Sequence, residues 1–212
     1  MQRARTAVYA APVRVVSVHV GQPRPLGPSP SAIVKEPVPS AWLGCEGLEG
    51  DAQVDRRYHG GPERALLAYC ADHYPWWREE LALPGAGPGW FGENLAVEGL
   101  SEETARIGDV YGLGDARVQV SMPRFPCVKL ERRLGRSGVV ECALATRRTG
   151  FYLRVLQTGR VQPGPVQVVE RSWPELTVAR AIEALDSPER AEAFRSCPAL
   201  SPHFRRALDG RR

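Results

Sequence analysis

No two cysteines of this 212-residue chain are close enough in sequence to form a CxxC pair. The five that exist, Cys45, Cys70, Cys127, Cys142 and Cys197, are odd in number and lie 25, 57, 15 and 55 residues apart. That spacing argues against a zinc knuckle, a thioredoxin-like dithiol, a disulfide framework and an iron–sulfur cluster on closely spaced thiolates. Any redox chemistry must draw its electrons from elsewhere. Long apolar runs are also missing, since no stretch approaches the roughly 20 apolar residues that span a bilayer. The N-terminal MQRARTAVYAAPVRVVSVHVG places two arginines before an apolar stretch, as a signal peptide would. Arg14 interrupts it and no small-residue cleavage site follows, so the expected location is the cytoplasm, with no membrane partner. Nor does one sign of charge dominate. The net charge is +4 and the arginines are dispersed apart from Arg132/Arg133, Arg147/Arg148 and the stretch from Arg205 to Arg212, which argues against a binder of duplex nucleic acid and favours a small anionic ligand.

What is present fits a soluble globular protein, with 43% hydrophobic and 25% charged residues,. Alternation predicts strands at Val13–Val20, Ser31–Pro37, Ile107–Leu113, Val118–Ser121, Phe151–Gln157 and Val166–Glu170. Pro62–Leu81 reads as a helix opened by proline and broken near Pro75, with Tyr69, Tyr74, Trp76 and Trp77 as core aromatics. Residues 84–89 read as loop, LERRLGR after Cys127 as a short helix, Gly138–Arg148 as helix or loop, and Gly159 as a turn. Many short strands with glycine turns predict a small distorted barrel or sandwich. After residue 172 the pattern changes. Thr177, Ser187 and Ser201 each precede a helical segment as hydroxyl N-caps, twice with proline at the first helical position. The expected organisation is mainly β with α additions: a barrel over 1–172 and a three-helix accessory module over 173–212. Leu176, Ile182, Leu185, Phe194 and Leu208 would share a core too small to stand without docking on the barrel.

The chemistry concentrates in two stretches. In VQVSMPRFPCVKL an alternating strand runs into a turn braced by Pro123 and Pro126, which cannot donate to a sheet ladder. Cys127 sits on that stiff turn between Arg124 and Lys129, whose charge favours the thiolate, the form that attacks electrophiles and binds soft metals. In GLEGDAQVDRRYHGG, Asp51, Asp55 and His59 recur every four residues and share one face whether the segment is helical or extended. Asp51 after Gly50 also suits a turn in which its carboxylate caps backbone N–H groups. Gly60 and Gly61 would let backbone approach a ligand closely. Glu93 and Asn94, in a Gly-Glu-Asn-Leu turn, are candidates to point into a cleft, and His19 is a packed histidine without a metal-ligating partner.

Taken together, GDAQVDRRYHGG, AYCADHYPWW, FGENL, IGDVYGLGDARVQVSMPRFPC and GFYLRVLQTGRVQPG resemble the MOSC-domain family, in its YiiM-like branch, over roughly residues 13–171. The C-terminal helices resemble the small domain appended in that branch. The resemblance implies a β-barrel that binds a molybdenum cofactor (a molybdenum–pterin), with Cys127 as the thiolate on the metal. It further implies reduction of N-hydroxylated bases and related compounds to amines, using two electrons from a separate reductase and two protons. Asp55 or His59 would handle the protons. Lys35, Arg57 and Arg124 would hold the cofactor phosphate, with Asp51 and Asn94 beside them. A homodimer is compatible with this picture. The chain departs from the family pattern at Met122, where glutamine is usual, and at Pro165, where an acidic residue is usual. Two other functions fit the same cysteine: a sulfur carrier bearing a persulfide on Cys127, and a module that binds or carries the cofactor without turnover.

Overall fold

Valines at alternate positions start a sheet that closes on itself. The computed structural model describes residues 12–56 and 60–210. In chain order its strands begin with β1 (Arg14–Val20), a hairpin of β2 (Arg24–Leu26) and β3 (Ser29–Ser31), β4 (Glu36–Val38), β5 (Ala41–Gly44) and β6 (Gly47–Leu48). They continue with β7 (Leu66–Cys70), β8 (Leu95–Glu98), β9 (Val110–Leu113), β10 (Ala116–Pro123), β11 (Phe151–Gln157), β12 (Gly159–Val161) and β13 (Gly164–Glu170). Seven of them run in the spatial order β13-β9-β10-β11-β7-β8-β1, and pairing of β1 with β13 closes the barrel, leaving β4 attached to β1. The β7–β8 pair is parallel. Pro165 stands opposite Arg14 at the closing seam, one residue into its strand, where a missing N–H costs least.

Three expectations change. Ser31–Pro37 is not one strand: pairing ends at Ser31 and resumes at Glu36. The helix expected over 62–81 begins only at Tyr74, because Leu66–Cys70 is a barrel strand with all five residues buried, and a run apolar on both faces carries no period to separate strand from helix. Pro75 then occupies the first turn of α1 (Tyr74–Glu80) rather than kinking a longer helix. Gly159 opens β12, which pairs with β5.

Helices α2 (Val128–Leu134) and α3 (Val139–Ala145) follow the cysteine loop, and α4 (Val178–Glu183), α5 (Pro188–Arg195) and α6 (Pro202–Leu208) end the chain. Thr177, Ser187 and Ser201 accept N–H bonds from Arg180, Arg190 and His203 as side-chain caps. The helices share one continuous apolar core with the barrel, including Leu176, Phe194, Phe204 and Leu208 beside Val118, Val120 and Phe151. Leu185, expected in that core, is exposed. A second cluster outside the barrel stacks Tyr69 on Phe91 at 4.6 Å, with Trp77 and Tyr74 around them, so the aromatic stripe is core.

His19 on β1 is buried, and its Nδ1 has no hydrogen-bonding partner. Burial first, then the nearby Lys35 charge, lowers its pKa below the usual histidine value. The unfolded chain therefore binds a proton that the folded chain refuses once the pH falls below about 6.5. Thermal melts should show Tm falling from pH 7.5 to pH 5.5, and His19→Gln should flatten that slope. His203 has the same sign, so part of the slope should remain.

Candidate functional site

The cysteine loop leaves the barrel where β10 loses its regular pairing with β11, at a register shift between Val120 and Met122. A bulge of this kind bends a strand and re-aims the residues beyond it. The Ser121 hydroxyl lies 2.6 Å from the Glu63 carbonyl and 3.1 Å from that of Tyr152. Arg124 then locks the loop: its backbone N–H donates to Gly150, and its guanidinium donates to the carbonyls of Thr149 and Phe91 at 3.3 and 3.0 Å. Cys127 comes next as the N-cap of α2 in extended conformation, and its partly exposed side chain lines a cleft of about 100 Å³ that opens to solvent. Burial raises the thiols of Cys70, to about 12, and of Cys142 and Cys197, which makes them poorer nucleophiles.

The opposite wall is built on Asp51. Its Oδ1 accepts from the Gly21 N–H at 2.6 Å and the Lys35 ammonium at 2.5 Å, and its Oδ2 accepts from Asn94 Nδ2 at 2.8 Å. The Lys35 and Asp51 side chains are only 7% and 4% exposed. Asn94 also donates to His19 O and accepts from Leu67 N–H, so its amide ties the ends of β1 and β7 to the turn before β8. Gly92 has a φ of +80° and brings backbone so near Ile33 that a Cβ would lie 2.5 Å from its Cγ1.

Of the residues expected from the sequence, Lys35, Asp51, Asp55, Asn94, Arg124 and Cys127 all line this one cleft. Arg57 and His59 lie outside the described residues. Several details differ from expectation. Lys35, expected on the cofactor phosphate, lines the cleft with its charge matched by Asp51. Asp51 does cap a backbone N–H, that of Gly21. Glu93 points away from the cleft, fully buried, accepting from the Tyr74 hydroxyl and the Gly89 and Phe91 N–H groups, while burial raises its pKa against those bonds. Gly60 serves an internal approach, because a Cβ there would meet the Gln53 side chain that accepts from Gly61 N–H.

Sequence reading missed two ionisable lining residues, Arg64 and Tyr152. Arg64 lies within a short turn ahead of β7, and Tyr152 within an apolar strand of ordinary pattern. Burial pushes the Tyr152 phenol up, opposed by Arg124 and Arg64 and reinforced by Cys127, so the phenol, both guanidiniums and the thiol act on one another. Burial lowers the Arg64 pKa, with Arg206 of α6 adding to the effect and Tyr152 opposing it. With Lys35 paired to Asp51, the described lining of the cleft sets Arg64, Arg124 and Lys129 beside the Asp55 carboxylate, a net positive hollow around one sulfur.

Residues 55–167 match the family model described as MOSC domain. The chain is 47% identical over 155 residues to YflK of Bacillus subtilis, covering 71% of this chain and 70% of that protein. It is 38% identical over 154 residues to a protein of Gibberella moniliformis named reductase, covering 68% of this chain and 27% of that one. Among solved structures, YiiM from Geobacillus stearothermophilus superposes with a TM-score of 0.80 at 32% identity, covering 94% of this chain and 99% of its own.

Removing one partner of a buried ion pair leaves the other charge uncompensated, which costs about 3–5 kcal/mol. Urea unfolding of Asp51→Ala should show a loss of that order, and adding Lys35→Met should recover a large part of it. A loss within about 1 kcal/mol would mean that the pair behaves as a solvated surface bridge.

Proposed function

The chain belongs to the MOSC domain family, which is associated with the molybdenum cofactor, and on that premise we propose that it reduces N-hydroxylated compounds, N-hydroxylated bases among them, to the parent amines. The observation that supports this reading is the meeting of a single thiol and a surplus of cations in one cleft. The donor set suits the group. A thiolate is a soft ligand, and arginine and lysine bind phosphate, arginine in bidentate fashion. Cys127 would hold the metal through its sulfur. Arg64, Lys129 and the remaining N–H groups of Arg124 would hold the pterin phosphate. Lys35, Asp51 and Asn94, which bond to one another through Asp51, would keep the wall in place. When bound, the cofactor supplies two-electron transfer, which the cysteines of this chain have no paired dithiol to provide.

The net reaction takes R–NHOH, two electrons and two protons to R–NH₂ and water. The N–O bond breaks, nitrogen is reduced, and the electrons come from a separate donor protein. Asp55 is the carboxylate on the cleft whose charge is not committed to Lys35, and it would deliver a proton to the departing oxygen, with His59 as the second proton carrier. Ile33, Val54 and Phe125 supply apolar lining against which the flat face of a base can rest.

Two variants separate these roles. Protein from a host that makes the cofactor should carry molybdenum by elemental analysis, and Cys127→Ser should retain less than about a tenth of it, since loss of a thiolate removes the soft ligand. Equal metal in both would overturn the assignment. Asp55→Asn should keep the metal while turnover of an N-hydroxylated purine, with reduced methyl viologen as donor, falls about 10²-fold, the usual scale for a lost general acid.

A further inference from the structure

The three C-terminal helices do more than complete a core. We propose that they are the rear support of the thiol-bearing loop, and that Phe204 is a positioning residue for the Cys127 sulfur, acting through Phe125. Three contacts carry this. Ser121, at the bulge where the loop leaves the barrel, has its carbonyl taken by the Ser201 N–H at 3.0 Å. A carbonyl released from regular ladder pairing is thus satisfied by the cap of α6. Arg154 of β11 donates through one nitrogen to Glu63 Oε2 at 2.6 Å and to the Ala199 carbonyl at 2.8 Å, linking the turn that bears Arg64 to the segment ahead of α6. Finally, the Phe204 ring is fully buried and stacks on Phe125 at 5.8 Å with an interplanar angle of 12°.

The location of that stack gives it its effect. Arg124 pins the loop from the barrel side, through Gly150, Thr149 and Phe91, and the helical ladder resumes where Leu130 N–H donates to Cys127 O. Between those anchors, Phe125 rests on the accessory module and on no other ring among the described residues. A thiol two residues from the stack therefore takes its aim from a helix about 80 residues further along the chain, and side chains that position reacting atoms to within a fraction of an ångström depend on such support. This role holds whatever the sulfur binds, so its failure is distinguishable from failure of the molybdenum reading.

The test uses the 212-residue chain made in a host that lacks the pterin, with iodoacetamide alkylation followed at each cysteine by peptide mass spectrometry. Phe204→Leu keeps the site apolar but removes the ring. It should change the Cys127 alkylation rate at least threefold while leaving the exposed Cys45 unchanged. Phe125→Leu should give the same change, and the double variant no more than either single one, because both remove one stack. Phe194→Leu, in α5 and equally buried, is the control for lost core packing, and should lower Tm without moving the Cys127 rate. A Cys127 rate unchanged in Phe204→Leu, or shifted equally by Phe194→Leu, would overturn the proposal.

Discussion

One buried carboxylate holds the cleft open in its observed shape. Asp51 takes hydrogen bonds from the Gly21 backbone, the Lys35 ammonium and the Asn94 amide, and those three groups lie on segments far apart in sequence. Withdrawing both charges from water costs several kcal/mol per ion, and only close geometry with every remaining lone pair engaged repays it. Asp51 approaches that condition, with two donors on Oδ1 and one on Oδ2. Its bonds fix Asp51 against β1 and, through Asn94, against β7 and β8, four residues ahead of the carboxylate assigned to proton handling in the proposed reaction.

The opposite wall obeys different physics. There the thiol rides on a loop, and loops owe their precision to the scaffold that grips them. Proline at 123 and 126 stiffens the chain locally, Arg124 fastens it to three carbonyls on the segments that lead into β11 and β8, and the C-terminal helices pack behind it. A cleft made from one charge-knotted wall and one clamped loop keeps its cations facing inward. It is this enforced surplus of positive charge that makes an anionic cofactor a fitting occupant.

Much of the frame was legible in the chain because the signals are local. The hydroxyl caps at Thr177, Ser187 and Ser201 and the prolines after two of them depend on atoms within a few residues, and each helix starts where they stand. The alternation in β1 and β10 likewise requires only that one face be buried. Leu66–Cys70 defeated the same reasoning because it is covered on both sides, by the barrel interior and by the aromatic cluster around Phe91, which erases periodicity.

For the site, sequence alone determined that Cys127 would stand on a braced bend between cations, and that Asp51 and Asp55 would be neighbours on one segment, because proline geometry and residue spacing act over short range. Tertiary structure alone decided that the Lys35 charge would be matched, that Glu93 would turn inward, that Arg64 and Tyr152 would join the cleft, and that Phe204 would sit behind the thiol loop. Those outcomes depend on which groups meet through space. The energy of a charge or a ring is set by its burial and by partners brought together only when the barrel closes, and no window of neighbouring residues contains that information.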